Sequence, residues 1–132
     1  MALPSDHRLA GQPEIRLAEL LDEPFLALPT SAGALREHWL AVPERSGHPV
    51  RVAAEITDPE ETYEAVTAGL GVCLLAAGNA TIFSRGGVVM RPVSDISPSE
   101  LVLAWRRDDT DPLLRAFVAA CAEVTERTAA GA

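Results

Sequence analysis

The chain has 132 residues, a net charge of −8 and no lysine. A hydrophobic fraction of 48% with 23% charged residues describes one ordinary globular domain, long enough to bury a core without metal or disulfides. The acidic balance repels phosphate and argues against nucleic-acid contact by this segment, and no apolar run approaches the roughly 20 residues that span a bilayer.

Leu3 to Pro13 is polar and broken by prolines, and reads as a connector. Ile15 to Leu21 has helical character but is too short to stand alone. Phe25–Leu28 is a short apolar run ended by Pro29, the pattern of a buried strand. Ala34 to Val42 reads as a helix with Leu35, Trp39 and Val42 on one face and Thr30 or Ser31 placed to cap it. Val50–Ile56 follows a loop as a second strand. At Thr57-Asp58-Pro59-Glu60, Thr57 is expected to cap a helix, Pro59 fits its first turn and Glu60 can close a capping box. That helix is expected to run to about Ala68, where Gly69 supplies the left-handed residue that ends it.

Val72–Leu75 is apolar throughout and is expected to be a central strand. Residues 76–85 allow one helical turn. Val88–Met90 with Val93 reads as a short fourth strand, and Leu101–Trp105 as a fifth. Asp111 is placed to cap a last helix with an apolar stripe of Leu113, Leu114, Phe117, Val118, Cys121 and Val124. Strands alternating with helices call for an α/β domain with a mostly parallel sheet.

The two thiols, Cys73 and Cys121, lie in apolar neighbourhoods without the spacing of a redox or zinc site. They fit a reducing, cytoplasmic setting. Asp108, Asp109 and Asp111 lack the loop pattern of a cation site, and the three histidines have no zinc spacing. No cofactor is implied. Pro29-Thr30-Ser31-Ala32-Gly33 sits between a strand and a helix, as a nucleophile elbow does. Its first glycine is replaced by Pro29, however, and a triad histidine would have to come from elsewhere. A serine hydrolase using Ser31 is therefore the lesser alternative to a chain with no catalytic residue.

Four stretches, in order, resemble one family. Leu3-Pro4-Ser5-Asp6-His7-Arg8-Leu9-Ala10 is similar to the LP-x-DHPLA segment of LysR-type transcription regulators. Leu17-Ala18-Glu19-Leu20-Leu21-Asp22-Glu23-Pro24-Phe25 is similar to their LxDLxDEPF segment, and Ala65–Val72 to their VxxGLGV segment. Leu103-Ala104-Trp105-Arg106, with Asp109, Pro112 and Phe117, is similar to their closing LxWRxDxxxPxxxxF segment. Arg8 stands where the family has proline, and Ala76 where a proline commonly follows GLGV.

The resemblance implies the effector-binding domain of such a regulator, a fold like the type 2 periplasmic binding proteins. Two lobes there enclose a small molecule. Residues 1–12 would be a crossing segment, 13–93 the complete second lobe, 100–128 the return crossing strand and C-terminal helix of an incomplete first lobe, and 129–132 a frayed tail. The winged helix that binds DNA would lie outside this segment. The family's ligand contacts fall at helix starts facing the cleft, which points to Thr30, Ser31, Thr57 and Asp58. These residues also read as ordinary caps and turns. The expected partners are a small-molecule effector and a second copy of the chain in a homodimer, with no nucleic acid or membrane bound by this segment. Pure assembly without a ligand is the competing reading.

Overall fold

The computed structural model describes residues 1–130, and side chains through Val124. It divides into two units, Met1–Pro98 and Ser99 onward.

The first unit holds four strands: β1 (Ala2–Pro4), β2 (Pro24–Ala27), β3 (Arg51–Glu55) and β4 (Val88–Met90). β2 and β3 pair in parallel, and β1 pairs antiparallel with β4. Val72 and Cys73 join the two halves. Val72 bridges to Phe25 in parallel, and Cys73 to Ala2 in the antiparallel sense. Backbone hydrogen bonds hold the joint on both sides: Leu26 N to Val72 O at 2.9 Å, and Ala2 N to Cys73 O at 2.8 Å. The spatial order is thus β3, β2, Val72–Cys73, β1, β4. The run expected as a central strand is central, with Val72 fully buried. The sheet is mixed rather than mostly parallel, because the N-terminal stretch is a strand running against its neighbours. The connector reading of Leu3–Pro13 therefore misses β1.

Alternation along the strands sorts the core into two layers. Leu3, Phe25, Ala27 and Val72 belong to one cluster, closed by Ile15, Leu20 and Leu40. Ala2, Leu26, Cys73 and Val88 belong to the other, closed by Val66 and Phe83. Residues adjacent in sequence thus go to opposite faces, each covered by its own helical segments. The covers are the 3-10 turn Leu17–Glu19 and the end of α1 (Ala34–Trp39) on one side. On the other are α2 (Pro59–Thr67) and α3 (Ala80–Phe83).

The glycines of the GLG stretch have separate causes. Gly69 has φ +71° and ends α2, its N–H bonding Val66 O at 2.9 Å while Leu70 N bonds Ala65 O at 3.0 Å. Gly71 passes β2 so closely that a Cβ would lie 2.7 Å from Pro24 O. The first glycine is needed for its angle and the second for its missing side chain.

α1 is shorter than its apolar pattern suggests, because Ala41 turns left-handed at φ 50° and a 3-10 turn, Val42–Arg45, follows. Leu35 and Val42 are exposed rather than in the core. Leu40 and Ala41 are buried here, and so is a charged residue, Arg45, 3% exposed. Its Nε donates to Leu40 O at 2.8 Å, and its guanidinium lies 4.5 Å over the Phe25 ring. Burial pushes its pKa down from the usual arginine range.

Arg8, the departure from the family pattern, is anchored. Its Nη2 and Nε reach Glu23 Oε1 at 2.7 and 2.8 Å, and Glu23 also lies 3.4 Å from His7 Nε2.

In the second unit, Leu101–Trp105 forms no strand and its side chains are exposed. A strand needs a neighbour to accept its ladder, and among the described residues its own unit supplies none. Asp111 caps α4 (Pro112–Ala130) as expected, accepting from Leu113 N at 2.8 Å. The helix reaches Ala130, into the stretch expected to fray, while residues 131 and 132 lie outside the described residues.

Candidate functional site

Because β2 and β3 are parallel neighbours, the segments that leave their carboxyl ends emerge side by side. Ile56 N donates to Ala27 O at 2.8 Å and locks the two exits together. Residues Thr30–Ala32 follow the first exit, and Thr57–Asp58 follow the second. The crevice outside the carboxyl ends of parallel strands is where open α/β sheets take ligands. The four residues singled out from the sequence therefore occupy one edge of the sheet.

Their local roles differ from expectation. Thr30 and Ser31 do not cap α1. They form a 3-10 turn whose cap is Pro29, and α1 begins after Gly33, at φ 52°. Both are exposed, and among the described residues neither hydroxyl has a partner. The six-residue helix starts too late for either to reach its first free N–H groups.

At the second exit the cap is Asp58, one residue later than expected. Its Oδ1 accepts from Glu60 N and Glu61 N, both at 2.9 Å. The returning glutamate is Glu61 rather than Glu60, with Oε2 2.7 Å from Thr57 N and 3.0 Å from Thr57 Oγ1. A carboxylate matches the positive end of the helix and its two N–H groups better than a hydroxyl. The spacing Asp58-x-x-Glu61 carried that signal. Glu60 is drawn aside by Arg85, whose Nη2 lies 2.9 Å from Oε2. That hydrogen bond holds the Arg85 guanidinium above its ordinary range.

Arg36 ties the two exits from behind. Its Nη1 donates to Leu28 O and to Glu55 Oε1, the latter at 3.0 Å. Sequence reasoning missed it, because a single arginine on a helix gives no sign of which strand ends it will meet. A shallow groove of about 370 Å³ runs between β3 and α2, lined by Ala54, Ile56, Ala65, Ala68 and Leu70 with Glu55, Glu61 and Glu64.

This edge presents hydroxyls and backbone groups beside a helix start whose first two N–H groups are already taken by an internal carboxylate. It suits polar recognition of a small molecule, with acidic side chains dominating one flank. Each histidine is engaged elsewhere: His7 with Glu23, His38 against Trp39, and His48 with Asp22.

An α/β lobe with this sheet order and a candidate site at its strand ends is one lobe of a domain like the type 2 periplasmic binding proteins. The chain belongs to the LysR substrate binding domain family, whose model matches residues 1–126. It is 36% identical over 124 residues to the Hca operon transcriptional activator HcaR of Escherichia coli, covering 90% of this chain and 40% of that protein. It is 27% identical over 120 residues to the HTH-type transcriptional regulator AlsR of Bacillus subtilis, covering 89% of this chain and 39% of that protein. Among solved structures, HinK, a LysR family transcriptional regulator from Pseudomonas aeruginosa, superposes with a TM-score of 0.69 at 28% identity over 92% of this chain and 43% of that one. The chain thus spans about two fifths of the length of the relatives it matches. Those relatives are transcription regulators rather than enzymes.

Proposed function

We propose that this lobe binds a small-molecule effector at the carboxyl edge of β2 and β3 and passes its occupancy to a longer transcription regulator. Thr30, Ser31 and Thr57 would make the polar contacts, and Asp58 would fix the shape of that rim by holding the start of α2. The observation that carries this reading is the side-by-side exit of the two segments, which brings residues distant in sequence to one edge. With Asp58, Glu60 and Glu61 gathered at the second exit, an uncharged or amine-bearing effector fits better than an anion. Binding would act by favouring one arrangement of a two-lobed domain.

The role is regulatory and not catalytic: among the described residues each histidine is engaged with a partner other than Ser31. The setting is cytoplasmic, and the working form is a homodimer. Exposed apolar side chains on α4, Leu113 at 75% and Phe117 at 55%, support assembly.

A panel of neutral, cationic and anionic metabolites should identify a compound that raises the melting temperature. Ser31→Ala and Thr30→Val should each weaken that shift. A panel member that stabilises wild type and both variants equally would remove these residues from the site. Labelling of Ser31 by a fluorophosphonate would revive the hydrolase.

A further inference from the structure

Glu60, Tyr63 and Thr67 share one face of α2 by their spacing. They meet, in order, the consecutive residues of the turn that enters β4. Glu60 receives Arg85 through both carboxylate oxygens, at 2.9 and 3.2 Å. The Arg85 guanidinium lies 4.0 Å over the Tyr63 ring, and Tyr63 Oη donates to Gly86 O at 2.5 Å. Gly87 passes Thr67 so closely that a Cβ would lie 2.9 Å from Thr67 Cγ2.

The far side of the same turn holds the N-terminal stretch. Ser5 N donates to Gly87 O at 2.9 Å, just past the pairing of Pro4 with Val88. Ser5 belongs to the stretch that the family resemblance makes a crossing segment. Glu60, at the other end of the contact, is part of the candidate rim: Asp58 Oδ1 holds its N–H while Arg85 holds its side chain. One short turn therefore touches the start of α2 through Arg85 and the crossing segment through Gly87.

We infer that Arg85 is a positioning residue for the effector rim, and that the turn it anchors couples the start of α2 to Ser5. This rests on the effector reading of the rim and gives occupancy a way out of the lobe. An isolated surface ion pair contributes little. This one is bidentate, which fixes direction as well as distance, and it is stacked on a ring. Any shift of the first turn of α2 carries Glu60 with it, so Arg85 must follow or let go. Following draws Gly86 and Gly87 along, because Val88 N bonds Arg85 O at 3.3 Å and closes the turn on itself. The coupling is reciprocal: whatever moves Ser5 bears on the rim by the same free energy.

The test is amide hydrogen exchange of the full chain, followed by NMR with no effector present. The Ser5 amide reports the crossing segment, and the Leu26 amide, bonded to Val72 O, reports the joint of the sheet. Arg85→Gln and Glu60→Gln should each speed exchange at Ser5 about threefold or more and leave Leu26 unchanged. The double variant should be no faster than the faster single one. Asp58→Ala, which frees the start of α2, should speed Ser5 in wild type and add nothing once Arg85→Gln is present. Exchange at Ser5 that ignores both single variants, or rises only in step with Leu26, overturns the proposal. So does an Asp58→Ala effect of equal size in the two backgrounds. Since no effector is used, failure here leaves the effector reading standing, whereas a metabolite panel without a stabilising member removes that reading and leaves the coupling.

Discussion

Val72 and Val102 are the same residue type in similarly apolar runs, yet one is the buried joint of a sheet and the other is exposed without secondary structure. The first unit supplies Val72 with a strand on each side and a layer of side chains on each face. Among the described residues, the second unit supplies Leu101–Trp105 with neither. An apolar run is thus a request for partners, and the fold depends on whether the same chain can answer it.

Breaking this contrast at its strongest point means Val72→Ser, which opens a cavity and buries a hydroxyl. It should cost about 3–4 kcal/mol by urea unfolding, and a shift of the midpoint too small to resolve would mean that the two halves of the sheet do not depend on the joint.

The neighbouring Cys73 sharpens the comparison through pH. Burial raises its thiol from the ordinary 9 to about 11. The folded chain therefore holds this proton over a range where the unfolded chain releases it. The resulting stability is fully present below pH 9 and is lost as pH rises toward 11, at most about 3 kcal/mol in all. Cys73→Ala should flatten that stretch of the stability profile, and identical slopes in the two proteins would show that the thiol is not protected.

At the site, Asp58→Ala removes the cap of α2 and should cost about 1 kcal/mol. Thr57→Val should cost less, since Asp58 rather than Thr57 holds the helix start; the reverse ranking in thermal melts would restore the cap to Thr57. The smallest effect belongs to Val102→Ser, expected within about 0.5 kcal/mol of wild type. A loss comparable to that of Val72→Ser would mean that Val102 is covered in solution after all.

The sequence was informative wherever a local rule decides the outcome. Short apolar runs located β2, β3, Val72–Cys73 and β4, and Asp111 announced α4, because alternation and capping act over a few residues. The GLG stretch marked the end of α2, although the need for Gly71 to clear Pro24 is a contact between distant segments. β1 was hidden because three residues ending in proline are too few to show a period. α2 was placed correctly but its cap was off by one, since Thr57 and Asp58 both satisfy the capping rule and only their competition for the same N–H groups decides. Arg45 gave no sign of burial, because a loop arginine becomes a core residue only when a ring such as Phe25 and free carbonyls meet it. At the candidate site, the nearness of Thr30–Ser31 to Thr57–Asp58 follows from β2 and β3 being parallel neighbours. Their exact turn conformations do not.

The joint at Val72–Cys73 also sets a timetable for the nascent chain. β2 and β3 can meet soon after Glu55 is synthesised, since both are then present. Ala2 and Leu3 are completed first, yet their partners Cys73 and Val88–Met90 arrive about seventy residues later or more. Throughout that interval β1 is apolar and unpaired, and the inner edge of β2 is open as well. A late central segment of this kind gives the lobe high contact order and a window in which exposed strand edges can meet the wrong neighbour. That exposure should end when residues 72–90 clear the ribosome.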